Sequence, residues 1–194
     1  MMLDNLPLKT LFGEFTVNHH TFNGRECVSL SCGDVSEGTP LVRMHSSCVF
    51  SESFRSTDCD CADQLQGALK LIHSYGKGAC IYLYDEGRGH GLSNKIKSMK
   101  CEHVHSIDTV EAFKRCGLDL DVRDYGPAIH ALADLNVAGT VRLISNNFRK
   151  RDALSAAGYI VTELVELSYP KSEDVSSYLK VKRDKLGHLI RELP

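Results

Sequence analysis

Cys48, Cys59 and Cys61 are the residues best equipped to do chemistry. The chain reads Arg43-Met44-His45-Ser46-Ser47-Cys48, then ten residues, then Cys59-Asp60-Cys61. Three thiolates on a turn make a soft, anionic pocket that suits zinc. Structural zinc usually takes four protein ligands, whereas catalytic zinc takes three and keeps one position for water. No fourth cysteine lies nearby, so the spacing favours the open, catalytic arrangement. His45 could close the site as a fourth ligand. The plain alternative is buried free cysteines or a redox pair.

Three further stretches carry chemistry-bearing residues. Asp85-Glu86-Gly87-Arg88-Gly89-His90-Gly91 follows an apolar run, and its three glycines let the backbone approach a ligand closely. Arg88 can make paired hydrogen bonds to phosphate, and Glu86 can accept from the N–H groups of a base. Lys95 and Lys97 follow and favour an anion. In Asp121-Val122-Arg123-Asp124-Tyr125, Asp121 and Arg123 share a face if the segment is extended. The plain reading there is a surface ion pair, worth little. Ser145-Asn146-Asn147-Phe148-Arg149-Lys150-Arg151 opens a helix, where amides, dipole and adjacent cations attract anions. Each could equally be a turn or a solvated face.

Elements able to position these residues can be read from periodicity. Glu14–Phe22, Cys27–Ser31 and Leu41–His45 read as strands, so the N-terminal part is β-rich. Ala62, Leu65, Ala68, Leu69 and Ile72 recur at helical spacing and end at Gly76. Ala79–Tyr84 is a compact apolar strand. Asp108-Thr109-Val110-Glu111 has the form of a capping box for a helix that stops near Gly117. Pro127–Leu135 is a further helix and Val141–Ile144 a strand. Phe148–Ala157 is a helix closed by Gly158, with a strand at Tyr159–Leu164. The predicted class is mixed α/β: a β-rich start, then alternating strands and helices around a mixed sheet, in one domain over 1–194. The tail from about 174 has basic, amphipathic helical spacing, read as a solvated face.

Composition is ordinary for a globular chain: 194 residues, 42% hydrophobic, 25% charged, net charge −2. Nothing in that balance calls for nucleic acid or a membrane surface. Eight cysteines in so long a chain do not read as a disulfide framework. Met1-Met2-Leu3-Asp4-Asn5-Leu6-Pro7 lacks the form of a signal peptide, so the expected setting is cytoplasmic and reducing. There Cys27, Cys32, Cys80, Cys101 and Cys116 are expected as small buried hydrophobes.

Together these residues resemble the GTP cyclohydrolase II family, from about Gly13 to Gly187-His188-Leu189. The likeness rests on Arg-x-His-Ser-x-Cys, Cys-Asp-Cys followed by Gln64, Glu-Gly-Arg-Gly, Asn94-Lys95-Ile96, Asp108-Thr109-Val110-Glu111-Ala112, Arg123-Asp124-Tyr125 and Ser145-Asn146-Asn147. The resemblance implies an enzyme that opens the imidazole ring of GTP, releases pyrophosphate and expels the ring carbon as formate. It implies zinc, usually magnesium, and a homodimer. Carried over, Cys48, Cys59 and Cys61 are the zinc ligands. Arg43, His45, Ser46, Ser47, Gln64, Glu86, Gly87, Arg88, Thr109, Ser145 and Lys150 are the nucleotide contacts. Asp121 is the proton acceptor and Arg123 the proposed nucleophile toward the α-phosphate. A guanidinium stays protonated, so clamping that phosphate is the easier role for Arg123.

The sequence leaves the family pattern at four positions. Ser47 stands for a glutamate, His90 for an isoleucine, Phe148 for a proline, and Met99 for an active-site tyrosine implicated in ring hydrolysis. Methionine has no proton to donate. An amide is the poorer electrophile, so loss of that tyrosine should slow the second hydrolysis more than the first. The expectation is a product that retains the formyl group, unless His90 or Tyr84 supplies the missing donor. Competing readings are a paralogue acting on another purine nucleotide and a non-catalytic nucleotide-binding protein.

Overall fold

The computed structural model describes residues 3–167 together with residue 180 and residues 183–185. In chain order the elements are β1 (Leu3–Thr10), β2 (Gly13–Phe22), β3 (Arg25–Cys32), β4 (Leu41–Ser46), α1 (Val49–Glu52), α2 (Cys61–Tyr75), β5 (Gly78–Leu83), a 3₁₀ turn (Glu86–Gly89), α3 (Gly91–His105), α4 (Thr109–Arg115), α5 (Gly126–Asp134), β6 (Thr140–Ile144), α6 (Phe148–Ala156) and β7 (Ile160–Val165). They fall into two compact units. One holds 3–45, Asp63–Tyr84 and 125–167; the other holds Ser46–Ala62 and Asp85–Asp124.

The first unit is built on one mixed sheet of order β1-β2-β3-β5-β4-β6-β7. Strands β1, β2, β3 and β5 pair antiparallel, while β4, β6 and β7 pair parallel. This is the expected mixed α/β class. Alternation along the strands sorts side chains to two faces. Val42 and Met44 of β4, with Ala79 and Ile81 of β5, pack with Ala128, Ala131 and Leu132 of α5. The intervening Leu41 and Cys80 join Ala68, Leu69 and Ile72 of α2 in a second cluster. Each fully buried Leu or Ile contributes about 1.5–3 kcal/mol, so both faces of the sheet are held firmly. Helix α2 ends where predicted, at Gly76, whose amide reaches Ile72 O at 3.0 Å.

Strands β2 and β3 are joined by Asn23-Gly24, both at positive φ, a two-residue hairpin turn that matches strand twist. Strand β1 escapes sequence reading because Asp4, Asn5 and Pro7 are poor strand formers. It survives as an edge strand paired only to β2, where proline is tolerated. An irregularity between Leu3 and Leu6 places Asn5 at φ 60°, its amide donating to Asn18 Oδ1 at 2.7 Å.

Strand β2 also carries a buried polar relay. His20, 2% exposed, places Nδ1 2.9 Å from Asp134 Oδ2 of α5 and Nε2 2.9 Å from Ser29 Oγ of β3. A carboxylate only accepts, so the hydrogen between His20 and Asp134 sits on Nδ1. The relay ties α5 to the β2–β3 hairpin.

The second unit holds α1, the 3₁₀ turn, α3 and α4. Asp108 caps α4 as predicted, accepting from Val110 N and Glu111 N. Helix α3 has no apolar stripe: Leu92, Ile96 and Val104 are exposed, while Ser98 is buried. Periodicity therefore could not find it. Cys27 and Cys80 are buried as expected, but Cys32, Cys101 and Cys116 are only half-buried. Among the described residues no helix is long and apolar enough to cross a membrane. Of the predicted tail helix, residues 180 and 183–185 are helical; the rest lies outside the described residues.

Candidate active site

In the second unit Cys48, Cys59 and Cys61 converge, their sulfurs all within 4.8 Å of one another. Cys48 Sγ lies 3.6 Å from Cys59 Sγ. Local hydrogen bonds explain the convergence. Cys48 immediately precedes α1, and its amide donates to Glu52 Oε1 at 3.0 Å. Ser51, 2% exposed, donates to Cys59 O at 3.4 Å and accepts from Ala62 N at 3.0 Å. One serine thus fixes the Cys59-Asp60-Cys61 turn against α1.

Among the described residues the metal-capable group stops at three sulfurs. That donor set fits zinc with an open position. The Cys48 thiol is held far below its usual pKa, chiefly by hydrogen bonding with Cys59 and Cys61 and also by Lys95. Cys59 is pushed up, mainly by its hydrogen bond with Cys48.

Lys95 Nζ, on α3, sits 3.0 Å from Cys48 Sγ and 2.7 Å from Glu86 Oε1. Burial alone would disfavour its charge, but the bonds to Glu86 and Cys48 outweigh that and raise its pKa. Glu86 is fully engaged. Oε2 accepts from Val49 N at 2.7 Å, and Oε1 also accepts from Gly87 N at 3.1 Å. Its carboxylate thus braces the loop after Cys48. Gly87 and Arg88 both have left-handed backbones.

Asp121 and Arg123 form a two-pronged pair, Nε to Oδ1 at 2.9 Å and Nη2 to Oδ2 at 2.6 Å. Arg123 N also donates to Asp121 Oδ1 at 3.1 Å. The side chains are only 15% and 13% exposed, so the surface-pair reading fails. Arg123 Nη1 reaches Ser46 Oγ at 3.5 Å, two residues before Cys48. Gly89 permits this arrangement: a Cβ there would lie 3.2 Å from Arg123 N, and its φ is +90°. Arg88 Nη1 donates to Leu120 O at 3.3 Å, and its guanidinium lies over the Phe113 ring. Met99 and Ser47 are half-buried, Met99 one turn beyond Lys95 on α3.

The first unit gathers the other expected contacts around β4 and β6. Arg43, 5% exposed, donates to Ile144 O at 3.0 Å and to Gln64 Oε1 at 2.6 Å. Its Nη2 lies 3.2 Å from His45 Nδ1, and the His45 ring stacks on Tyr82. His45 is not one of the metal-capable group. Lys150, 6% exposed, donates to Met44 O at 2.7 Å. Ser145 Oγ accepts from Asn147 N at 3.0 Å, and Asn147 caps α6 through Arg149 N.

The family model for GTP cyclohydrolase II matches residues 3–166. The chain belongs to the GTP cyclohydrolase II family. It is 42% identical over 191 residues to the GTP cyclohydrolase-2 of Azotobacter vinelandii, covering 96% of this chain and 90% of the relative. It is 41% identical over 188 residues to the riboflavin biosynthesis protein RibBA of Bacillus mycoides, covering 95% of this chain but 47% of the relative. The chain therefore spans about half the length of the RibBA relatives it matches. A solved two-domain 3,4-dihydroxy-2-butanone 4-phosphate synthase from A. baumannii has a TM-score of 0.47 at 17% identity, covering 88% of this chain and 40% of its own, a likeness too slight to build on.

The residues that support the site carry little signal in the sequence. Ser51 and Glu52 lie within four residues of Cys48 and could have been noticed there. Glu102 had no such signal; its carboxylate accepts from Thr109 Oγ1 at 3.0 Å. Burial raises the Glu102 pKa, and the Thr109 bond only partly offsets this. The fold thus favours the protonated acid. That contribution is complete below the ordinary glutamate pKa and is lost as pH rises through the raised value. Glu102→Gln is expected to raise the melting temperature at about pH 7 and to change it little at about pH 4. Thermal melts at the two pH values check this, and an equal effect at both would contradict it.

Proposed function

We propose that this chain is a zinc-dependent hydrolase that opens the imidazole ring of GTP and releases pyrophosphate, giving a pyrimidinone ribotide. The observation that carries this reading is the three-sulfur group in a chain of this family. Cys48, Cys59 and Cys61 would hold the zinc. When bound, the ion supplies Lewis acidity and an open position for water. The names of the relatives support GTP and a riboflavin-forming route, and magnesium would enter with the triphosphate. We take the working form as a cytoplasmic homodimer.

The side chains then have defined tasks. Arg123 presents fixed donors to charge developing at the α-phosphate as pyrophosphate leaves. Asp121 holds that guanidinium in orientation and is the group that accepts a proton. Arg123 itself stays cationic and acts as a clamp rather than a nucleophile. Arg88 and Lys150 are the further cations proposed for the nucleotide, with Gln64, Thr109 and Ser145 as neutral partners. Arg43, His45, Ser46, Ser47, Glu86 and Gly87 complete the proposed contacts. Glu86 is already spent on Val49, Gly87 and Lys95, so its part is to shape the loop. Pyrophosphate release from GTP with and without chelator tests the reading. A metal-free preparation with full turnover would overturn it.

The finer reading is that the product keeps its formyl group. Met99 offers no hydroxyl where the family has tyrosine. Of the two candidate substitutes, His90 is committed: Nε2 lies 2.8 Å from Asp119 O and its ring packs edge-on to Phe113. Tyr84 is 58% exposed and meets Tyr82 edge-on. Met99→Tyr is expected to convert a formamide product into free formate plus the deformylated ribotide. Mass spectrometry of the products decides, and one full equivalent of formate from the unaltered enzyme sinks the idea.

A further inference from the structure

We infer that Lys95 is a positioning residue for the thiolate cluster, which makes a bound divalent ion more electron-poor by hydrogen bonding to Cys48. This rests on the zinc reading above. The geometry is specific. The ammonium is 3.0 Å from Cys48 Sγ and 2.7 Å from Glu86 Oε1, and it lies 5.0 Å above the Phe50 ring. Its side chain is only 16% exposed.

Sequence alone casts Lys95 as one of two lysines that favour an anion. Its surroundings favour a different task. An ammonium has three hydrogens, and two already point at Glu86 and Cys48. Glu86 holds Lys95 in place through a carboxylate that also accepts from Val49 N. The same carboxylate therefore fixes both the cation and the backbone just after the sulfur ligand. Gly87 lets this happen: a Cβ there would sit 3.1 Å from Lys95 Cβ.

The chemical consequence follows from charge. Three thiolates and one divalent ion leave one negative charge in excess, which blunts Lewis acidity. A charged N–H donor on one sulfur withdraws electron density from it and offsets that excess. Partners beyond the ligands typically alter metal affinity by about 10–100-fold.

The test is cobalt(II) binding to the purified full chain, read by chelator competition and by the sulfur-to-cobalt charge-transfer band. Lys95→Met is expected to change binding about 10–100-fold and to move the band to lower energy, because an unbonded thiolate gives up an electron more easily. Lys95→Arg, which keeps a charged donor, is expected to restore the band. If Lys95→Met does not fold, Lys95→Gln is read instead; it removes the charge and is expected to move the band in the same direction. An unchanged band and affinity in a folded, uncharged variant overturns the inference while leaving the zinc reading intact. No cobalt binding by the unaltered chain overturns the zinc reading itself, and the inference with it.

Discussion

Under the proposed zinc-dependent reading, Cys59→Ser is expected to abolish metal binding and to lower GTP turnover by ~10³-fold or more. Lewis-acid stabilisation is worth several kcal/mol, and about 1.4 kcal/mol corresponds to tenfold in rate. Serine keeps the size of the side chain and leaves Cys59's backbone carbonyl to accept from Ser51, so the fold should persist. An alkoxide is a far poorer ligand than a thiolate at neutral pH, and two sulfurs do not make a tight zinc site. Elemental analysis beside a pyrophosphate assay checks the two halves together. A variant that retains one equivalent of zinc and most of its turnover would rule the cysteine cluster out as the catalytic centre.

The second large effect is expected at Asp121. Asp121→Asn should reduce kcat by ~10²–10⁴-fold, the usual range for loss of a general acid or base, with a smaller change in KM. The native pair is two-pronged, with both carboxylate oxygens accepting from Arg123. Asparagine can accept with only one atom, so one prong is lost along with the proposed proton acceptor. Arg123→Lys separates the two contributions. It keeps the charge and loses the fork, and so it should raise KM as well as lower kcat. A pH profile of kcat/KM adds the deciding readout: the acidic limb should vanish in Asp121→Asn. An unchanged acidic limb assigns the proton to another group.

Legibility of the fold followed the strength of the periodic signal. Helix α2 was plain in the sequence because Ala68, Leu69 and Ile72 all face one core. Strand β5 was plain because its apolar run is buried on both faces. Strand β1 was hidden by Pro7 and Asn5, which only an edge position accommodates. Helix α3 was hidden because its inward side holds Ser98 and the stem of Lys95 rather than an apolar stripe. At the site, the spacing of Cys48, Cys59 and Cys61 announced the cluster, and the structure gathers them. What spacing could not reveal is how charges are shared. Glu86 and Lys95 looked like ligand contacts in sequence, yet each is bound to the loop that carries Cys48. Asp121 and Arg123 could as well have been a surface pair. Their low exposure, a tertiary property, separates the two readings.

The His20 relay joins β2, β3 and α5 through three side chains. Its serine, imidazole and carboxylate follow the donor and acceptor sequence of the hydrolytic triads that cleave esters and peptides. Ser29 is 0% exposed, so no acyl group can arrive, and the same wiring serves as a rivet. Solvent access, more than the identity of the three partners, separates a nucleophile from a fastener.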